Sequence, residues 1–105
     1  MALVEFDSIK SIDDQDGVWG ADELSLTVDG EEVWQSVGVN SGEKFNLEAL
    51  DPISISDSST VKLLEDDLGF AYNKIGSFTP VDKADESPIE LNQADGIYEV
   101  AFTVI

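Results

Sequence analysis

Apolar and polar positions alternate along most of this chain with a period of two, the spacing that puts every second side chain on one face of a β-strand. Leu3-Val4-Glu5-Phe6-Asp7-Ser8-Ile9 reads as a first strand. Leu24-Ser25-Leu26-Thr27-Val28 sets three apolar side chains on one face, and Asp29-Gly30 follows it. That dipeptide is the strongest two-residue hairpin signal, because it accepts positive φ at both positions. Glu31-Glu32-Val33-Trp34-Gln35 returns as the partner strand. Further segments are Lys44-Phe45-Asn46-Leu47, Pro52-Ile53-Ser54-Ile55, Val61-Lys62-Leu63-Leu64-Glu65, Lys74-Ile75-Gly76-Ser77-Phe78, a weak Ile89-Glu90-Leu91 and a strong closing run from Ile97 to Ile105. The only helical hint, Leu47-Glu48-Ala49-Leu50, is one turn long and stops at Asp51-Pro52.

Short strands separated by turn signals predict an all-β fold, an antiparallel Greek-key β-sandwich of about eight strands. The expected core is Val4, Phe6, Leu24, Leu26, Val28, Val33, Phe45, Ile53, Ile55, Val61, Leu63, Ile75, Phe78, Tyr98, Val100 and Phe102. Trp34 is expected to pack on the sheet rather than to hold a ligand. No linker, low-complexity stretch or clear repeat divides residues 1–105, so one domain is expected. The closing strand is a candidate unprotected edge.

Charge narrows the functional classes. The formal net charge is −18, from 23 acidic residues against five lysines. Nucleic-acid binding is not expected, because phosphate contacts need cationic side chains. There is no His, Cys or Arg, so imidazole and thiolate metal sites, disulfides and His-dependent triads are excluded. No apolar run is long enough to span a bilayer as a helix. The N-terminal residues have no basic region and already alternate like a strand, so no signal peptide is read there and the cytoplasm is the expected compartment.

Much of the acidity is scattered and solvates the surface, but two clusters are dense. One runs Asp13-Asp14-Gln15-Asp16-Gly17-Val18-Trp19-Gly20-Ala21-Asp22-Glu23; the other is Glu65-Asp66-Asp67, followed by Leu68-Gly69-Phe70-Ala71-Tyr72-Asn73. Each lies where a loop should meet a strand. If the fold brings them together, their mutual repulsion favours a hard cation with six to eight oxygen ligands. The first cluster approaches an EF-hand loop, with Asp14, Asp16, Gly17 and Glu23 at positions 3, 5, 6 and 12. Ile12 would then hold the first ligand position, and the flanks alternate as strands, so an EF-hand is rejected.

Asp16-x5-Asp22 before an alternating strand resembles the first calcium loop of the C2 domain, a calcium- and lipid-binding β-sandwich. Glu65-x-Asp67-x5-Asn73-x-Ile75-Gly76, directly after a core strand, is similar to that family's acid-x-acid-x5-acid loop. Glu65 and Asn73 replace the aspartates usual in the family, which keeps oxygen donors but removes charge. Strand order extends the resemblance from about Leu3 to Ile105, while identity is confined to these loops. The resemblance implies a C2-like calcium site. Asp16, Asp22, Glu65, Asp67 and Asn73 are its first-choice ligands, and Asp14 and Glu23 its alternates. Val18, Trp19, Leu68, Phe70 and Tyr72 are apolar residues within the two loops, and such tips usually mark a contact. With sparse Lys and no Arg, the expected partner is a neutral lipid surface or an apolar groove on a protein. Nothing in the chain points to catalysis: the acids are crowded together without a base. The competing reading is an acidic structural or protein-interaction sandwich that holds no metal.

Overall fold

The computed structural model describes residues 2–13, 22–39, 42–66, 72–92 and 97–105, and of residues 13, 22, 23, 37–39, 66, 72 and 73 the backbone alone. Among the described residues there are nine strands and no helix. They are β1 (Ala2–Asp13), β2 (Asp22–Val28), β3 (Glu31–Val39), β4 (Lys44–Asn46), β5 (Ile53–Ile55), β6 (Val61–Asp66), β7 (Tyr72–Phe78), β8 (Ile89–Leu91) and β9 (Ile97–Val104). The all-β expectation holds. The segment from Leu47 to Leu50 is a turn closed by the Leu50 N–H on the Leu47 carbonyl at 3.0 Å. Its entry is shaped by the Asn46 side chain, which accepts the Glu48 N–H at 2.8 Å, the Asx arrangement that competes with helix.

The strands make two antiparallel sheets. One has the order β4-β1-β9-β8, with β5 also paired to β1; the other has the order β3-β2-β6-β7. Since β9 occupies one edge of β1, β4 and β5 share the opposite edge, at Ser8–Lys10 and Ala2–Val4 respectively. The chain changes sheet at β1–β2, β3–β4, β5–β6 and β7–β8. Two ring contacts fix how the sheets overlie. Trp34 of β3 meets Phe45 of β4 at 5.4 Å, and Phe78 of β7 meets Phe102 of β9 at 4.9 Å.

The core is assembled from the inward faces of both sheets. Val4, Phe6, Leu24, Leu26, Val28, Ile55, Val61, Leu63, Ile75, Phe78, Tyr98, Val100 and Phe102 are buried as expected. Val33, Phe45 and Ile53, expected in the core, are only partly buried and pack against it. Ile9, Leu47 and Leu91 are buried without having been expected. Ile9 has a clear cause. The β1–β9 register slips between Phe6 and Ser8, so Asp7 is an extra residue that reverses the alternation. Phe6 and Ile9 therefore both face inward, and Ser8 falls on the opposite face, where it is still only 9% exposed.

The β2–β3 hairpin turns at Asp29 and Gly30, whose φ angles are +52° and +85°. The closing strand is not an edge. β9 lies between β1 and β8, and Ile105 exchanges two backbone hydrogen bonds with Leu3 at 2.8 and 3.0 Å. Just before β8 begins, the Ser87 hydroxyl accepts the next β9 donor, the Phe102 N–H, at 2.9 Å.

Candidate functional site

Both acidic clusters reach the same end of the β3-β2-β6-β7 sheet through its register. Glu23 stands opposite Asp66 and Leu24 opposite Glu65. On the other side of β6, Glu65 stands opposite Asn73 and Asp66 opposite Tyr72. Asp22 pairs with Val39 of β3. Directly opposed residues in such a ladder have Cβ atoms about 5 Å apart, so backbone positions from three strands are drawn together. Residues 14–21 join β1 to β2, and 67–71 join β6 to β7.

The expected ligands divide accordingly. The register brings Asp22, Glu23, Glu65 and Asn73 together as backbone positions, with Tyr72 of the apolar set beside them. Asp14, Asp16 and Asp67, together with Val18, Trp19, Leu68 and Phe70, lie outside the described residues. Among the described residues, no group of three or more Asp or Glu side chains is close enough to hold a metal ion.

Glu65 is the one expected ligand whose side chain is described, and it is 5% exposed. Strand alternation explains this. Val61, Leu63 and Glu65 share the inward face of β6, so the last inward position before the connection carries a carboxylate. Burying a carboxylate is costly unless it is compensated, and Glu65 does interact within the fold. In the other sheet Ser11 and Tyr98 stand opposite each other on β1 and β9, both fully buried. The Ser11 Oγ has no hydrogen-bond partner among the described residues. Its backbone is anchored, since the Ser11 N–H donates to the Glu43 carbonyl and the Gly42 N–H to the Ser11 carbonyl, each at 2.8 Å. Sequence reading passed over Ser11, because a serine in an alternating strand has no signal of its own.

The donor set suits a hard cation. The residues drawn to this end offer carboxylate and amide oxygens and no nitrogen or sulfur ligand, which is the chemistry that calcium or magnesium requires.

A second acidic residue is engaged at the other end of the same sheet. Asp29, at the hairpin tip, accepts the Ser59 hydroxyl at 2.7 Å and the Thr60 N–H at 3.0 Å, while its own N–H donates to the Thr60 carbonyl at 2.9 Å. These bonds favour the ionised form, and the Thr60 N–H, then the Ser59 hydroxyl, hold the Asp29 carboxyl below its ordinary value. Every oxygen of that carboxylate serves the turn, so Asp29 acts as a clamp between two connections.

No protein-family model matches the chain, and comparison with curated proteins finds no match. Among the described residues no helix is long and apolar enough to cross a membrane.

Proposed function

We propose that the chain is a non-catalytic, C2-like, Greek-key calcium-binding module whose two acidic connections supply one site at the end of the β3-β2-β6-β7 sheet. The observation that carries this reading is the register: Glu23 opposite Asp66, and Glu65 opposite both Leu24 and Asn73. Glu23 and Asp66, far apart in the chain, are thereby anchored directly opposite each other on neighbouring strands, where like charges favour a counter-ion, and Glu65 lies one residue before Asp66. Asp16, Asp22, Glu65, Asp67 and Asn73 are the proposed ligands, with Asp14 and Glu23 as alternates. Bound calcium would supply positive charge there and lower the cost of bringing the two acidic connections together. Val18, Trp19, Leu68, Phe70 and Tyr72 would then be available to dock on a neutral lipid surface or a protein groove, each large side chain contributing roughly 1.5–3 kcal/mol when buried.

Isothermal titration with calcium at low ionic strength tests the reading, alongside melting curves. The expected result is a saturable heat and a melting temperature that rises with calcium, because a ligand that binds only the folded state stabilises it by about 2.7 kcal/mol at a hundred times its Kd. Asp22→Asn combined with Asp67→Asn should abolish both effects. A chain that gives no heat and the same melting temperature at millimolar calcium is an acidic sandwich without a metal.

A further inference from the structure

The outward face of the five-stranded sheet carries a row of charges arranged as two lysines followed by two glutamates. Lys44 of β4 stands opposite Lys10 of β1, Lys10 opposite Glu99 of β9, and Glu99 opposite Glu90 of β8. Lys44, Lys10 and Glu90 are exposed and Glu99 is half-buried. None of the four makes an ion pair or side-chain hydrogen bond among the described residues. Within one molecule the row is unfavourable at both ends, because like charges directly opposite each other destabilise a sheet. Two of the five lysines of a chain with net charge −18 are spent on one such pair.

We propose that this face is a dimer interface occupied by a second copy of the chain. A two-fold axis parallel to the strands, running between β1 and β9, lays each residue over the copy of its own cross-strand neighbour. Lys10 then meets Glu99 of the second copy, and Lys44 meets its Glu90. An isologous interface must be self-complementary in this way, and four charges in the order plus, plus, minus, minus satisfy the condition.

Part of the rest of the face suits the same axis, while Glu5, opposite Thr103, and Asp7, which accepts the Thr103 hydroxyl at 3.3 Å, add two acids to it with no cation opposite. Next to the charge row lies the pair Ser8 and Ala101, small residues that are already buried and half-buried in the single chain and leave no side chain standing between two sheets. Ile12 and Ile105, the exposed large hydrophobic residues among those described, are 39% and 62% exposed. Both belong to this face, at opposite ends of it. The axis lays Ile12 over Ile97, beside which it bulges, and Ile105 over Leu3, its hydrogen-bonded neighbour. At ~3.3 Å per residue and about 4.8 Å between strands, the long β1 and β9 and the three-residue β4, β5 and β8 give a footprint of about 460 Å². That is below the roughly 800 Å² per partner of a stable interface, so the expected dimer is a weak one.

Sedimentation velocity with a calcium chelator present separates this proposal from the calcium reading. At about 0.15 M salt the Debye length of about 8 Å screens the distant charges of two acidic copies but not pairs in contact. The native chain is expected to show concentration-dependent dimerisation. Lys10→Glu with Lys44→Glu makes the row uniformly negative, Glu90→Lys with Glu99→Lys makes it uniformly positive, and each should weaken self-association at least about tenfold. An equimolar mixture of the two should form a heterodimer at least as readily as the native chain forms its homodimer. Lys44→Glu and Glu90→Lys, single changes at exposed positions, repeat the test if either double variant fails to fold. A native chain that stays monomeric up to about 1 mM, or a dimer indifferent to all four changes, overturns the proposal.

Discussion

Asp29 shows how a residue chosen for one local purpose can serve a second one. Asp-Gly is legible as a hairpin because both positions need positive φ, and the angles of +52° and +85° agree. The clamp on Ser59 and Thr60 was not legible, since nothing in an alternating pattern says which connection lies beside a hairpin tip. The ionised carboxylate makes those hydrogen bonds, so its pKa in the folded chain lies below the ordinary 3.8. The stability it contributes is therefore present above that ordinary value and is lost as pH falls through the lowered one. Asp29→Asn, which tolerates the same φ, should melt at a lower temperature than the native chain at pH 7. The gap should close as both are titrated below the ordinary carboxylate range. A gap that is constant with pH would show that the charge of Asp29 contributes nothing.

At the scale of elements, irregularities rather than regular strands decide the packing. The bulge at Asp7 turns Ile9 into the core, and register slips in β2–β3 and β6–β7 re-aim their strands in the same way. β7 adds a close approach. A Cβ built on Gly76 would lie 2.8 Å from both Cβ and Cδ2 of Leu91, so β8 can reach β7 only because no side chain intervenes. Gly76→Ala gains roughly 0.5–1 kcal/mol in strand preference but must displace Leu91, and overpacking costs about 1–3 kcal/mol. The clash should win. A lower midpoint in urea with an unchanged slope is expected, and an unchanged or higher midpoint would show that β8 yields without cost. Leu91 itself escaped sequence reading because Ile89-Glu90-Leu91 is three residues long, too short for a periodic signal.

For the whole molecule the dominant quantity is charge. At −18, self-repulsion favours the expanded chain, and Glu23 and Asp66 stand directly opposite each other at one end of a sheet. Sodium chloride raised from about 10 to about 100 mM shortens the Debye length from about 30 to about 10 Å. In the presence of a chelator, the melting temperature should therefore rise across that range. Calcium should reproduce the rise at far lower concentration, where screening by the ion is negligible. If equal ionic strengths of sodium and calcium salts give equal shifts, calcium acts only by screening, and the acidic end is a repulsive surface.

Alternation, turn residues and composition by themselves determined the all-β class, most strand positions, the Asp29-Gly30 hairpin and thirteen of the buried core residues. They also determined that any metal held here must accept oxygen ligands. These are local properties, set by side-chain period and chemical type. Tertiary structure alone decided which strands are neighbours. It drew Glu23, Glu65 and Asn73 to one sheet end, buried Glu65 and Ser11, and placed β9 inside a sheet rather than at its edge. It also ordered Lys44, Lys10, Glu99 and Glu90 in a single row. Pairing between distant strands depends on loop closure, bulges and the fit of two sheet faces, and no short stretch of sequence carries that information.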